Sequence, residues 1–145
     1  MPSDPSVVRW RVHLRSAPER AYEMLASQEG REAFWAERAP ERDGVIHFEF
    51  ANGERVDGDV LRREPGRCFS VRYFEGKPVR FEIEPDGAGG SEVTVIQEGV
   101  TDDNRDDFAP GWVVVLLALK AAADFGVDLR NHSATRTWEA GYVDV

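Results

Sequence analysis

Two residues on one predicted strand carry side chains that could perform acid–base chemistry. His47 and Glu49 are two positions apart in a segment whose hydrophobicity alternates, so they share one face of the strand. A histidine oriented by a carboxylate can act as a general base. However, the apolar Ile46 and Phe48 occupy the opposite face and are expected to point into the core. His47 and Glu49 are therefore predicted to face solvent.

The metal-binding patterns in the chain are incomplete. Asp102, Asn104 and Asp106 have the spacing that begins a calcium-binding loop. The position that requires glycine holds Asp107, and the position of the closing glutamate holds Val113. The three histidines also lack a short ligand spacing such as HxxxH. We expect no metal ion and no cofactor.

The usual signatures of a nucleophile or a phosphate-binding loop are also missing from the sequence. Cys68 is the single cysteine, so it can form no internal disulfide, and it has no neighbouring histidine to activate it. The glycine-rich loop over residues 85–90 is followed by a predicted strand, whereas a phosphate-binding loop needs a helix after it. Cys68 is thus interpreted as a small apolar residue and the loop as a turn.

Composition and charge limit the classes of partner. The 145 residues are 41% hydrophobic and 31% charged, which is typical of one globular domain with a single core. We predict one domain over residues 1–145, with 1–6 as a flexible N-terminus and 131–145 as a C-terminal tail. The net charge of −9 argues against binding to nucleic acid or to an anionic membrane.

The sequence also predicts a cytoplasmic location. Residues 1–10 lack the basic region and apolar run of a secretory signal. Lys120 and Asp124 interrupt the longest apolar segment, so no stretch is expected to span a bilayer.

Residues 110–126 are predicted to form a long helix, because they are apolar and contain few helix-breaking residues. Pro110 suits its first turn, and Gly126 suits its end because glycine tolerates the left-handed conformation. One apolar face is expected to pack on a layer beneath. Val113, Val114 and Leu117 lie on the other side, so a second surface or partner is predicted to cover them.

The remaining elements are a strand over 8–14, two short helices that separate near Ser27, and five strands between Gly44 and Glu98 with hairpin-length turns. Ser16 and Glu19 have the spacing of a capping box for the first short helix. Gly58 inside a strand indicates a bend or a close contact. The order β-α-α-β-β-β-β-β-α predicts an α+β fold, in which a curved antiparallel sheet of about six strands wraps around the long helix.

Several segments within residues 7–128 resemble the helix-grip (SRPBCC, START-like) superfamily, which includes lipid-transfer domains, pollen-allergen-like proteins and polyketide cyclases. The chain is most similar to the bacterial branch related to the C-terminal domain of the activator of the heat-shock-90 ATPase. The matching segments are residues 17–22 (APERAY), Phe34-Trp35, residues 64–67 (EPGR), and Gly111-Trp112 followed by Leu116 and Leu119.

This resemblance implies a hydrophobic cavity between the sheet and the long helix. Eight residues are candidates for its lining because of the side of the strand or helix on which they lie. They are Trp10, Phe34, Trp35, Phe48, Phe81, Trp112, Leu116 and Leu119.

Three functions are compatible with such a cavity. The first is a module that binds a small hydrophobic or amphipathic molecule. The second is a cyclase-, aromatase- or hydrolase-like enzyme, but the polar candidates near the cavity walls form no evident acid–base pair, so binding without catalysis is favoured. These candidates are Tyr22, Tyr73, Gln97 and Arg72.

The third function is protein interaction. A chaperone partner is implied by the family resemblance alone. A homodimer could instead form through Val113, Val114 and Leu117 or through the C-terminal tail.

Overall fold

A computed structural model describes residues 4–145 of the chain. The sheet contains strands β1 (Val8–Leu14), β2 (Glu41–Arg42), β3 (Val45–Glu49), β4 (Arg55–Glu64), β5 (Cys68–Arg72), β6 (Pro78–Pro85) and β7 (Ser91–Gln97). The helices are α1 (Pro18–Ala26), α2 (Gln28–Phe34) and α3 (Arg105–Phe125), and a single 3-10 turn covers Phe74–Gly76. The predicted order of elements is confirmed, with the two-residue β2 as an additional strand.

The sheet has seven strands in the order β1-β7-β6-β5-β4-β3-β2, and neighbouring strands are antiparallel. The first strand joins at an edge beside β7, with Trp10 opposite Val95. The Asn52-Gly53 hairpin joins β3 to β4, and Gly53 has a φ of 90°. The predicted curved antiparallel sheet is thus confirmed.

Gly58 lies where the end of β5 packs closely against β4. A Cβ atom at this position would be 2.4 Å from the carbonyl oxygen of Arg72 and 2.8 Å from Cγ2 of Val71. The register between β4 and β5 shifts between Val60 and Arg62, which marks a bulge. Glycine is therefore required here because the neighbouring strand occupies the space of a side chain.

The long helix begins one turn earlier than predicted. Its N-cap is Asn104, whose carbonyl oxygen accepts hydrogen bonds from the backbone N–H groups of Asp107 and Phe108. Pro110 therefore lies inside the helix rather than at its first position. The acidic residues of the first turn stabilise the positive end of the helix dipole. Gly126 ends the helix as predicted, with a φ of 65°.

Three contacts align α3 with β1. The Trp10 indole donates to the carbonyl oxygen of Ala109 at 3.1 Å, and the Lys120 ammonium donates to the carbonyl oxygen of His13 at 2.6 Å. At the end of the helix, Asp124 accepts hydrogen bonds from the backbone and hydroxyl of Ser16. The helix therefore runs along the edge strand.

Ser16 does not cap α1 as the sequence predicted. The N-cap of α1 is Ala17, which makes no side-chain cap. The Ser16 hydroxyl instead donates to Oδ1 of Asp124 at 2.7 Å. The predicted capping box is therefore wrong, because a buried carboxylate on α3 competes for the same hydroxyl.

By length and composition alone, α3 is apolar enough to cross a membrane, although it contains Lys120 and Asp124. The core helix of a globular protein passes the same test. Here the helix packs on the sheet through a row of buried side chains. These are Trp112, Leu116, Ala118, Leu119 and Ala122.

Candidate functional site

A cleft of about 650 Å³ opens beside the first half of α3. Its walls come from the face of α3 that carries Phe108 and Val115, the β3–β4 hairpin, the link after β5, the end of α2 and the tail that follows α3. The cleft therefore lies at one end of the sheet, where loops and strand ends meet.

Most of the cleft lining is apolar or aromatic. The aromatic members come from five separate parts of the chain, which brings them together only in the folded protein. They are Trp35, Phe50, Tyr73, Phe74, Phe108, Trp112 and Trp138.

Trp35 is at the centre of this aromatic cluster. It follows the last residue of α2 as its C-cap, and its ring centroid lies 5.5 Å from Tyr73 and 6.2 Å from Trp112. Its indole N–H donates to the Tyr73 hydroxyl at 3.0 Å. Trp35 is only 4% exposed, so this hydrogen bond satisfies a donor that water does not reach.

Tyr73 presents its ring to the cleft while its hydroxyl is enclosed. Burial raises the pKa of this phenol well above its ordinary value, and the hydrogen bond from Trp35 only partly offsets that effect. Tyr73 therefore stays neutral throughout the physiological range and cannot serve as a base there.

The second buried indole of the cleft is also satisfied. Trp112 donates from Nε1 to Oε1 of Gln97 at 2.6 Å. Gln97 is fully buried, and its Nε2 atom has no hydrogen-bond partner among the described residues. This contact ties the cleft face of α3 to the end of β7.

The structure places two of the eight predicted cavity residues, Trp35 and Trp112, in the cleft lining. Five others are buried in the packed core between the sheet and α3. They are Phe34, Phe48, Phe81, Leu116 and Leu119. The space directly beneath the helix is filled, so the open volume lies to one side of the predicted position.

Trp10 lies outside this cluster and is 47% exposed. It faces α3, as the alternation predicted, and donates to the carbonyl oxygen of Ala109. Its strand, however, is the edge of the sheet, so its indole has strand neighbours on one side only. Trp10 therefore lies on the predicted face of its strand but does not line the cleft.

The polar candidates do not form an acid–base pair in the cleft. Tyr22 packs edge-on against Phe69 in the core, and Arg72 points outward to the carbonyl oxygen of Gly76 at 3.1 Å. His47 lies on the outer face of β3, where Nδ1 is 2.8 Å from Oδ1 of Asp57. These side chains therefore lie apart from one another, and His47 is paired on the outer face of the sheet.

The tail after α3 is an unexpected wall of the site. Arg130, whose side chain is 6% exposed, donates to the carbonyl oxygens of Ala36 at 2.8 Å and Glu32 at 2.6 Å. These carbonyls flank Trp35 at the end of α2. Arg130 therefore attaches the tail to the element that carries the central tryptophan.

Two further contacts fasten the tail across the cleft. The imidazole of His132 lies between the carboxylates of Glu37, at 2.5 Å, and Asp128, at 2.7 Å. These two carboxylates raise the pKa of His132. Farther along, the Trp138 indole donates to Oδ1 of Asp107 at 3.2 Å. The apolar residues of this largely polar tail, Trp138, Tyr142 and Val143, are the sequence signal that could have indicated this role.

Among residues 4–145, no group of three or more histidine, cysteine, aspartate or glutamate side chains is arranged to hold a metal ion. Asn104 of the incomplete calcium pattern instead caps α3, and its Oδ1 accepts from the backbone N–H of Thr101 at 2.8 Å. Cys68 is buried, which raises the pKa of its thiol.

No family model matches the sequence. No curated protein shows significant sequence similarity to it either.

Similarity appears at the level of structure. The solution structure of the Aha1 dimer from Colwellia psychrerythraea superposes with a TM-score of 0.74 at 21% identity, covering 83% of this chain and 97% of that one. The protein SSP2350 from Staphylococcus saprophyticus gives 0.74 at 20% identity, covering 86% and 96%. DynU16, a protein of the dynemicin biosynthetic locus, gives 0.74 at 18% identity, covering 88% of this chain but 49% of its own.

Identities this low establish the fold alone. The chain shares the helix-grip fold of these proteins, which is the fold that the sequence resemblance implied.

Proposed function

We propose that this protein is a binding module for a small apolar or amphipathic molecule, held in the cleft beside α3. The observation that carries the proposal is the cleft itself, about 650 Å³ in volume with Trp35, Tyr73 and Trp112 in its wall. Ligand sites are typically concave, apolar and of roughly 300–1,000 Å³, with few polar groups. The helix-grip fold supports the same function.

The core beneath α3 supports this position of the ligand. Phe48, Phe81 and Leu119 are each 1% exposed or less, so they leave no room for a guest molecule there. The indole N–H groups of Trp35 and Trp112 are already bonded to Tyr73 and Gln97. The cleft therefore offers mainly aromatic surface, which suits a ligand recognised by its apolar body.

Gly111 provides a direct test because it lines the cleft within α3. A Cβ atom there meets no other atom within 4 Å, so a side chain can enter the cleft without moving the backbone. We expect the neutral fluorescent probe N-phenylnaphthylamine to bind saturably to the wild-type protein. Gly111→Leu should abolish that binding, because the leucine would occupy the volume that the probe requires.

Gly111→Ala is the matched control. Like leucine, alanine has a higher helix propensity than glycine, but it adds only a methyl group to the cleft, so binding should persist. Circular dichroism and thermal unfolding should show that both variants are folded. Absence of saturable binding to the wild-type protein, or undiminished binding to folded Gly111→Leu, would count against the cleft as the site.

Self-association is a second candidate function, favoured by exposed apolar side chains along α3. Leu117 is 52% exposed and Phe125 is 58% exposed, while Val114 belongs to the cleft wall. Of the predicted interface residues, Val114 therefore lines the cleft, whereas Leu117, one turn later, is exposed to solvent. The similar Aha1 protein from Colwellia psychrerythraea is a dimer.

Sedimentation equilibrium tests this second candidate. A dimer that dissociates in Leu117→Asp but persists in the cleft variant Gly111→Leu would assign the interface to the outer face of α3. A wild-type protein that sediments as a monomer at all accessible concentrations would exclude it.

A further inference from the structure

Carboxylates surround the aromatic cleft from several sides. Five acidic residues line it, against the single guanidinium of Arg130. They are Glu37, Glu54, Glu75, Asp107 and Glu139. We propose that the cleft selects a ligand whose apolar body carries a positively charged nitrogen, in preference to neutral or anionic molecules of the same size. This inference rests on the proposed binding function and specifies its ligand class.

Three of these carboxylates have neutral hydrogen-bond donors as partners. Glu54 accepts from the Asn52 amide at 3.0 Å, and Glu75 accepts from the Asn104 amide at 3.3 Å. Asp107 accepts from the Trp138 indole. Such donors orient a carboxylate without cancelling its charge, so the mouth of the cleft retains a negative potential.

The one guanidinium in the lining does not offset this potential at the mouth. The side chain of Arg130 is buried, and it donates to both carboxylate oxygens of Asp128 at 3.0 Å as well as to backbone carbonyls. Its charge is thus paired with an acidic residue within the tail. Glu37 is paired with His132, so among the described residues a ligand in the cleft meets aromatic rings and four acids that form no ion pair. They are Glu54, Glu75, Asp107 and Glu139.

The aromatic walls reinforce the preference for a cation. The half-buried rings of the lining, such as Phe50, Tyr73 and Trp138, carry the negative lobes of their quadrupoles on their faces, which attract an ammonium group and gain strength when water is excluded. Tyr73 keeps a neutral phenol, so this surface does not change near neutral pH. A fatty acid of similar length would gain the same apolar contacts but would be repelled by the carboxylates.

Three probes with an eight-carbon chain separate these effects: octyltrimethylammonium, octanol and octanoate. Each is titrated against the protein carrying N-phenylnaphthylamine, and its dissociation constant is obtained from displacement. We expect the cation to bind about tenfold more tightly than octanol, with octanoate the weakest, and the difference to shrink at high salt because the acids are exposed.

The double variant Glu54→Gln with Glu75→Gln should weaken binding of the cation severalfold and leave binding of octanol unchanged. Its matched control is Glu84→Gln with Glu92→Gln. These two residues face each other on β6 and β7, outside the cleft, so the control should leave the binding of all three probes unchanged.

Equal binding of cation and alcohol, or tighter binding of octanoate, would overturn the charge preference while leaving the apolar binding function intact. A cation preference that survives in Glu54→Gln with Glu75→Gln, or that disappears in the control, would overturn the assignment to these carboxylates. Failure of every probe to bind would instead reject the binding function itself.

Discussion

The indole of Trp35 and the hydroxyl of Tyr73 are joined by a hydrogen bond of 3.0 Å across 38 residues of sequence. This contact links the end of α2 to the segment between β5 and β6. It also leaves both rings in the wall of the cleft. The same bond thus supports the fold and sets the shape of the candidate site.

Tyr73→Phe should destabilise the protein by about 1–3 kcal/mol, because the buried Trp35 donor loses its acceptor. The free energy of unfolding in urea measures this effect. Tyr142→Phe is the control, since Tyr142 is exposed and its change should be small. Equal stabilities of Tyr73→Phe and wild type would show that the hydrogen bond contributes nothing.

Gly58→Ala and Gly111→Ala should change stability in opposite directions. The new methyl group at position 58 would clash with the Arg72 carbonyl, which should cost about 1–3 kcal/mol. At position 111 the methyl group meets open space within a helix, so alanine should stabilise by up to about 1 kcal/mol. Thermal unfolding of both variants checks the sign, and a stabilised Gly58→Ala would contradict the close approach of β5.

Asp124→Asn should weaken the attachment of α3 to the end of β1. The side chain of Asp124 is fully buried and accepts from the backbone N–H groups of Arg15 and Ser16, and also from Lys120. Loss of its charge should cost about 2 kcal/mol in the free energy of unfolding. Asp102→Asn, at an exposed position before α3, is the control and should be nearly neutral.

The same carboxylate should make stability fall in acid. Burial raises the pKa of Asp124, but its hydrogen bonds outweigh burial and lower it to about 2. Because the folded value is below the unfolded value of about 3.9, its contribution is present above pH ~4 and is lost as the pH falls toward ~2. Unfolding titrations across this range should show a smaller loss for Asp124→Asn than for wild type.

His132 should make the tail more firmly attached at low pH. Its folded pKa is raised by the hydrogen bonds to Glu37 and Asp128, so its stabilising contribution is complete below the unfolded value of about 6.5 and is lost as the pH rises through the folded value. Hydrogen exchange of residues 128–138, corrected for intrinsic rates, should therefore be faster above this window. His132→Gln should abolish that dependence, whereas the outer-face variant His47→Gln should retain it.

Local patterns in the sequence predicted most of the fold. Alternation in β3 placed Phe48 inward and His47 outward, and Gly126 marked the end of α3, because these choices depend on neighbours only a few residues away. The resemblance to helix-grip proteins rested on the same elements. The shape of the site was not accessible in this way.

Tertiary structure decided where the open volume lies. Two of the eight predicted cavity residues, Trp35 and Trp112, line the cleft. Leu116 and Leu119 do not, because packed side chains fill the space beneath α3 that they were predicted to line. Arg130 and Trp138 became part of the site because the tail folds back onto α2 and α3. Such contacts join residues far apart in sequence, so their pairing is determined by the packing of the whole chain and leaves no periodic signal in any one segment.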